Sequence, residues 1–166
     1  MDHLAAPAGP WRLRAARPRD LDALVALIRE LAAYERLTHL VEATADRLAP
    51  HLFGPRPLAE AMVADSGGAV VAFALWYTNF STFLARPGLH LEDLYVRPAE
   101  RGRGIGRALL ERVGALAVER GCGRLEWNVL DWNADAIAFY ERMGASLLPE
   151  WKLCRVAGPA LAAFGR

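Results

Sequence analysis

The chain has 166 residues, of which 54% are hydrophobic and 23% are charged, and its formal net charge at pH 7 is +1. This length is sufficient for one folded domain with a substantial core. The balanced charge gives no electrostatic reason to expect nucleic acid or an anionic membrane as a partner. No segment approaches the ~20 apolar residues of a membrane span, and the N-terminus lacks the pattern of a signal peptide.

The spacing of the two cysteines and four histidines does not match that of a metal site, so we expect no metal. Cys122 and Cys154 could pair in principle, but we expect a reducing cytoplasm in which both thiols are free. Residues 1–10 are rich in alanine, proline and glycine and are expected to be flexible. We therefore predict a flexible segment at 1–10 and a single folded domain at 11–166.

Hydrophobic periodicity predicts alternating strands and helices from residue 11 onward. In chain order these are a strand at 11–15, a helix at about 20–36, a helix at 44–53, strands at 58–64 and 69–77 joined by a turn, and a strand at 89–96. They continue with a helix from 105 to Gly121, a strand at 124–130, a short helix capped by Asn133 that reaches Met143, a strand at about 151–156 and one or two helical turns in the tail. This order predicts one α/β domain built on a mixed sheet.

Residues 91–110 read LEDLYVRPAERGRGIGRALL, a hydrophobic strand followed by a glycine-rich loop and an amphipathic helix. Glycines at 102, 104 and 106 leave backbone N–H groups unshielded, and the start of the helix adds free N–H groups and a positive dipole end. Three arginines add positive charge, at positions 101, 103 and 107. We therefore predict that this loop binds the diphosphate of a cofactor.

Two familiar phosphate-binding motifs do not fit this loop. The dinucleotide fingerprint requires a third glycine where this chain has Arg107. The nucleotide P-loop requires a Gly-Lys-Ser/Thr sequence that is absent here.

The remaining pattern, Arg101-x-x-Gly104-x-Gly106 between a strand and a helix, resembles the pyrophosphate loop of the GNAT superfamily of N-acetyltransferases. Residues 132–145, WNADAIAFYERMGA, resemble a second motif of that superfamily. Within the superfamily, residues 27–35, 91–96, 101–106 and 133–145 are similar to the diamine and polyamine acetyltransferases. The resemblance implies the GNAT fold, in which helices flank a mixed, mostly antiparallel central sheet.

The resemblance also implies acetyl-CoA as the acetyl donor and a set of residues that bind it. Main-chain groups of β-strand residues would pair with the pantetheine arm, and the glycine-rich loop would hold the diphosphate. The implied cofactor-binding residues are Leu94, Tyr95, Val96, Arg101, Gly102, Arg103, Gly104, Ile105, Gly106, Arg107, Asn133, Ala136 and Tyr140.

Acetyl transfer to an alkylamine needs a base, because an amine with a pKa near ~10.4 is mostly protonated at neutral pH. Strict strand alternation places Glu92 and Asp93 on opposite faces, each among apolar neighbours, and does not choose between them. The resemblance implies that Glu92 is the base; an ion pair with an arginine is the alternative for Glu92, and Asp93 is interpreted as structural. Tyr140 is the implied general acid that protonates the thiolate, although by composition alone Phe139 and Tyr140 would be core residues.

A cationic acceptor favours carboxylates around it, and the family's substrate-facing stretches carry several. The candidate substrate-binding residues are Tyr34, Glu35, Glu92, Glu126, Trp127, Asn128 and Glu150. The chain is therefore expected to acetylate a primary amine of a small cationic molecule, by direct attack in a ternary complex. Family members are usually homodimers, which we also expect here. The alternatives are acetylation of a protein or peptide amine or an aminoglycoside, or a non-catalytic acyl-CoA sensor.

Overall fold

A computed structural model describes residues 11–165 of the chain. The chain divides into two compact units after Leu130, and each is described separately. The segment 1–10, which we expected to be flexible, lies outside the described residues, and the prediction of a single domain at 11–166 stays a prediction.

The first unit is a five-stranded sheet flanked by helices. Its elements are β1 (Trp11–Ala15), α1 (Leu21–Tyr34), α2 (Ala45–Phe53), β2 (Glu60–Ser66), β3 (Ala69–Ser81), β4 (Arg86–Val96), α3 (Ile105–Glu119) and β5 (Leu125–Glu126). The strand order is β1-β2-β3-β4-β5, with antiparallel pairing throughout except between β4 and β5, which are parallel. The prediction of a mixed, mostly antiparallel sheet with flanking helices is confirmed.

The two faces of the sheet are covered by different helices. Leu27 of α1 packs in one buried cluster with Phe73 and Leu75 of β3 and Tyr95 of β4. On the opposite face α3 lies against β4, since a methyl group added at Gly106 would be 3.5 Å from Cγ2 of Val96. We call these surfaces the α1 face and the α3 face.

Strand β4 contains a bulge at Glu92. Leu75 of β3 lies opposite Asp93, whereas the next residue, Trp76, lies opposite Leu91, so Glu92 is an extra residue without a partner on β3. A bulge of this kind interrupts the regular alternation of side chains along a strand.

The bulge makes our prediction of strict alternation along β4 wrong. Leu89 pairs with Leu125, whose side chain lies toward α3, whereas Tyr95 packs in the cluster on the α1 face. These two residues are an even number of positions apart and would share a face in a regular strand. Asp93, which pairs with the core residue Leu75, therefore lies on the α1 face.

The second unit contains α4 (Ala134–Arg142) and a short α5 (Gly158–Ala162). The helix ends of α4 were predicted correctly, since Asn133 caps it and Gly144 follows it with φ of 91°. The predicted strand at 151–156 is wrong, because those residues form no regular element and their side chains are exposed. A strand requires a neighbouring strand to pair with, and none lies beside this segment within the unit as described. Every helix in the described residues is too short or too polar to cross a bilayer.

Candidate active site

Strand β4 has a hydrogen-bonded neighbour on only one side over its second half. Strand β5 was predicted at 124–130 but consists of Leu125–Glu126 alone, and it pairs only with Leu89 and His90. Among the described residues, no strand pairs with the outer edge of β4 beyond His90. We call this stretch the open edge of β4.

The open edge presents the main-chain groups of two predicted cofactor ligands. The N–H of Arg97 donates to the carbonyl oxygen of Val71 at 3.1 Å, so the main-chain groups of Arg97 face β3. Because alternate residues direct their main-chain groups to opposite sides, those of Val96 and Leu94 point to the open edge. The main-chain groups of Tyr95 point back to β3, where it pairs with Phe73.

The glycine loop, residues 101–107, has the backbone geometry that diphosphate binding requires. Gly102 and Gly104 have φ of +77° and +79°, which favour glycine, and a Cβ added at either would meet no atom within 4 Å. The N–H of Ala108 donates to the Gly104 carbonyl at 3.0 Å and is the first helical bond of α3. Within the described residues, no hydrogen bond is donated by the N–H groups of 102–107. These amides, together with the positive end of the α3 dipole, fit a diphosphate.

The three arginines of the loop have intramolecular partners rather than being mobile charges. Arg103 pairs with Glu100, and Nε of Arg107 donates to Oε1 of Glu111 at 2.7 Å. Nε of Arg101 donates to the main-chain oxygen of Val96 at 3.0 Å. Ion pairs this close to solvent contribute little to stability, so a phosphate can replace the carboxylate partners.

On the α1 face, Asp93 feels the charges of two other carboxylates, Glu92 and Glu35. Burial, followed by the negative charges of Glu92 and then Glu35, raises the pKa of Asp93 to about 7. Glu35 follows the end of α1, and burial raises the pKa of its carboxyl as well. Glu92, the bulge residue, has a side chain that is 55% exposed. The sequence analysis interpreted Asp93 as structural. It could not foresee the bulge, because a bulge depends on the pairing of β4 with β3 and leaves no pattern in the sequence of β4 itself.

His90 and Tyr77 border this group of acids. Their rings stack with centroids 5.0 Å apart, and Nε2 of His90 lies 3.9 Å from Oε2 of Glu92. Burial raises the pKa of the Tyr77 hydroxyl, and the negative charges of Glu92 and Glu126 act in the same direction. Sequence reasoning missed both residues, which the β3–β4 pairing brings together.

The other predicted acceptor residues are placed as follows. Glu126 is already engaged, because its Oε1 accepts from Nδ2 of Asn79 at 2.6 Å and lies 3.1 Å from Nη2 of Arg124. Trp127, half-buried, and Asn128, exposed, directly follow β5, and Tyr34 is the last residue of α1, 40% exposed. Glu150 belongs to the second unit and is exposed.

The second unit carries the remaining predicted residues on or beside α4. The Oδ1 atom of Asn133 accepts the N–H of Ala136 at 3.3 Å, which is the predicted capping contact. Tyr140 is half-buried, and its ring lies 5.3 Å from that of Phe139 at an angle of 55°. The roles of Asn133, Ala136 and Tyr140 toward the cofactor stay predictions.

The family comparison agrees with the resemblance carried by the glycine loop and residues 132–145. The chain belongs to the acetyltransferase (GNAT) family, whose model matches residues 21–145. It is therefore an acyltransferase that uses acetyl-CoA as its acetyl donor and acts on amines.

Two similar enzymes and one similar solved structure are known by name. The chain is 35% identical to L-ornithine N5-acetyltransferase of Arabidopsis thaliana over 93% of this chain and 88% of that protein. It is 36% identical to thialysine N-epsilon-acetyltransferase of Mus musculus over 90% and 94% of the respective chains. Among solved structures, an integron cassette protein of V. cholerae aligns with a TM-score of 0.79 and 25% identity, over 96% of this chain and 99% of that one.

The conformation of Gly104 provides a test of the glycine loop. We expect Gly104→Ala to cost about 1 kcal/mol in the free energy of unfolding, because its positive φ strains any residue with a Cβ. The same substitution should displace the neighbouring N–H groups and weaken CoA binding by about ten-fold or more, measured by isothermal titration calorimetry. Gly67→Ala is the matched control: its φ is +60° and the site is equally open, but it lies in the β2–β3 turn. Equal CoA affinity in both variants would contradict the assignment.

Proposed function

We propose that this enzyme acetylates a primary amine of a small cationic acceptor, a diamine, polyamine or lysine analogue, by direct attack in a ternary complex. The observation that carries the proposal is the convergence of Glu35, Glu92 and Asp93 on the α1 face, beside the open edge of β4. The net charge of the chain is only +1, so this concentration of negative charge is local. Carboxylates attract an ammonium group more strongly where water is partly excluded.

The names of the relatives support this class of acceptor. One relative is an ornithine N5-acetyltransferase and the other a thialysine N-epsilon-acetyltransferase. Ornithine and thialysine each carry an amine at the end of a short flexible chain. We propose an acceptor of that shape, whose positive charge is attracted to Glu35, Glu92 and Asp93, which together we call the acidic group.

The side chains have distinct roles in the proposed reaction. When bound, acetyl-CoA supplies the thioester, and we propose that the glycine loop and the open edge of β4 hold it. Glu92 takes a proton from the acceptor ammonium, directly or through a water, so that the free amine can attack the acetyl carbon. Asp93 and Glu35 hold the cationic acceptor near Glu92. Tyr140 returns a proton to the departing sulfur, as the family resemblance implies.

An acceptor screen tests this function most directly. With acetyl-CoA as donor, kcat/KM for polyamines, ornithine and thialysine should exceed that for peptide N-termini and aminoglycosides by about 100-fold. Polyamines, ornithine and thialysine carry the amine on a short flexible chain, whereas aminoglycosides, although cationic, carry it on bulky rings, and peptides are larger. Glu92→Gln should lower kcat by about 100-fold or more, since general base catalysis typically contributes that much. Tyr140→Phe should lower kcat less, and Glu119→Gln, an exposed acid on α3 paired with Arg112, should have no effect.

Other outcomes of the screen would contradict the proposal. A preference for peptides would assign a different acceptor. If CoA binds tightly and no amine is acetylated, the chain is a sensor and not an enzyme. An unaffected Glu92→Gln variant would remove Glu92 from the role of base.

The pH dependence tests the acidic group separately. Asp93, with its pKa near 7, becomes negatively charged as the pH rises through 7, so kcat/KM for a cationic acceptor should rise over the same range. In Asp93→Asn this rise should be lost, whereas Asp46→Asn, an exposed acid of α2, should keep it. If the profiles of Asp93→Asn and the wild type superimpose, Asp93 does not hold the acceptor.

We also propose a homodimer, supported by the second unit. Large apolar side chains are exposed in the segment in which we expected a strand and just before it, at Leu147, Leu148, Trp151, Leu153 and Val156. A second copy of the chain can cover such a segment by pairing with it as a strand.

The dimer proposal predicts the effect of removing these apolar groups. The wild type should sediment as a dimer, and Trp151→Ser combined with Leu153→Ser should shift it to a monomer, because both side chains would lose buried area. Leu58→Ser, which alters a residue that is 69% exposed in the first unit, serves as the control. A wild-type monomer at all concentrations would contradict the proposal.

We infer a cytoplasmic location for the enzyme. Support comes from its free cysteines, Cys122 and Cys154, which suit a reducing compartment. Fractionation of cells expressing a tagged chain tests this, and recovery in a secreted or membrane fraction would contradict it.

A further inference from the structure

Arg101 lies where the glycine loop, β4 and the end of α1 meet. Its Nε donates to the main-chain oxygen of Val96 at 3.0 Å. Its guanidinium carbon is 5.2 Å from the ring centroid of Tyr34 and 5.7 Å from that of Tyr95. One side chain thus contacts the last residue of β4, a ring at the end of α1 and a ring in the core.

These contacts require the shape of arginine and not only its charge. A planar guanidinium can lie over aromatic rings and still donate through Nε, whereas the ammonium of lysine cannot do both from one position. Tyr95 is 6% exposed and packed in the core cluster, so it is a fixed reference for the guanidinium. Tyr34 is the last residue of α1 and precedes Glu35 of the acidic group.

The hydrogen bond to Val96 joins the two surfaces proposed to hold one donor molecule. The carbonyl oxygen of Val96 lies on the open edge of β4, and Gly102, which follows Arg101, begins the run of free amides. The turn Pro98–Glu100 connects them, and the N–H of Arg101 donates to the oxygen of Pro98 at 3.2 Å. A shift of Arg101 would therefore change the distance between the pantetheine side and the diphosphate side of the site.

We propose that Arg101 is a positioning residue that sets the glycine loop relative to the open edge of β4, held in place by the rings of Tyr34 and Tyr95. In this role it contributes to CoA binding through the spacing of main-chain groups and not as a phosphate ligand. Tyr34, at the end of α1, does not contact the phosphates in this proposal. It contributes to CoA affinity because it holds Arg101 in place. The inference rests on the proposed CoA site, which binding of CoA to the wild type tests independently.

The test is calorimetric titration of two ligands into the wild type, Arg101→Lys, Tyr34→Leu and the double variant. The ligands are CoA, which spans both surfaces, and 3′-phospho-ADP, which keeps the diphosphate and lacks pantetheine. Arg112→Lys on the exposed side of α3 is the matched charge-conserving control. Thermal unfolding of each variant verifies that it is folded.

Positioning predicts a specific pattern of affinities. Arg101→Lys and Tyr34→Leu should each weaken CoA by about three- to ten-fold, the range expected for a cation–π contact and a charged hydrogen bond. The CoA affinity of the double variant should lie within about two-fold of that of the weaker-binding single variant, because both substitutions disrupt the same arrangement of side chains. Affinity for 3′-phospho-ADP should stay within about two-fold of wild type, as should CoA affinity in Arg112→Lys.

Three results would overturn the inference. If Arg101→Lys weakens 3′-phospho-ADP as much as CoA, Arg101 is a phosphate ligand. If Tyr34→Leu leaves CoA affinity unchanged, or if the two substitutions act additively, Tyr34 does not hold Arg101 in place. Failure of the wild type to bind CoA at all would instead refute the proposed site.

Discussion

The site depends on a strand that has a partner on only one side. Strand β5 ends after pairing with Leu89 and His90 of β4, and beyond His90 the described part of the chain gives β4 a neighbouring strand only in β3. A strand edge left without partners is usually unfavourable, since its main-chain groups need hydrogen bonds. Here the same edge leads directly into a loop in which the N–H groups of residues 102–107 donate no hydrogen bond to any residue that the structure describes. We propose that main-chain groups of both segments form the binding surface for an extended, phosphorylated molecule.

In the proposed reaction, the bulge at Glu92 supplies the acidic side chains beside that surface. By inserting one residue it places Asp93 on the α1 face, close enough to Glu35 and Glu92 for their charges to raise its pKa. An acid whose pKa rises from 3.8 to about 7 on folding binds its proton more tightly in the folded state, so it lowers stability as the pH rises through that range. A protein selected for stability alone would replace Asp93. Such a local conflict is typical of functional sites, where attraction for a cation outweighs the loss of stability.

Local signals explain what the sequence predicts well. The glycine loop, the start of α3, the Asn133 cap and the Arg107–Glu111 pair depend on residues within a few positions of each other, and the structure contains all of them. Alternation along β4 failed because a bulge is set by register against β3, which sequence spacing does not encode. The strand expected at 151–156 failed because its residues have the right hydrophobicity but no neighbour within their unit. The partners of Arg101 come from α1 and β4 and were not predictable from the loop motif.

The central claim is that the main-chain groups of the open edge of β4 and of residues 102–107 bind CoA. Titration of CoA into isotopically labelled protein, followed by backbone amide NMR, tests it residue by residue. The account predicts that the amides of residues 102–107, Leu94 and Val96 show the largest shifts and gain protection from exchange, while 3′-phospho-ADP affects the loop alone. Large shifts centred elsewhere, with these amides unchanged at saturating CoA, would contradict it.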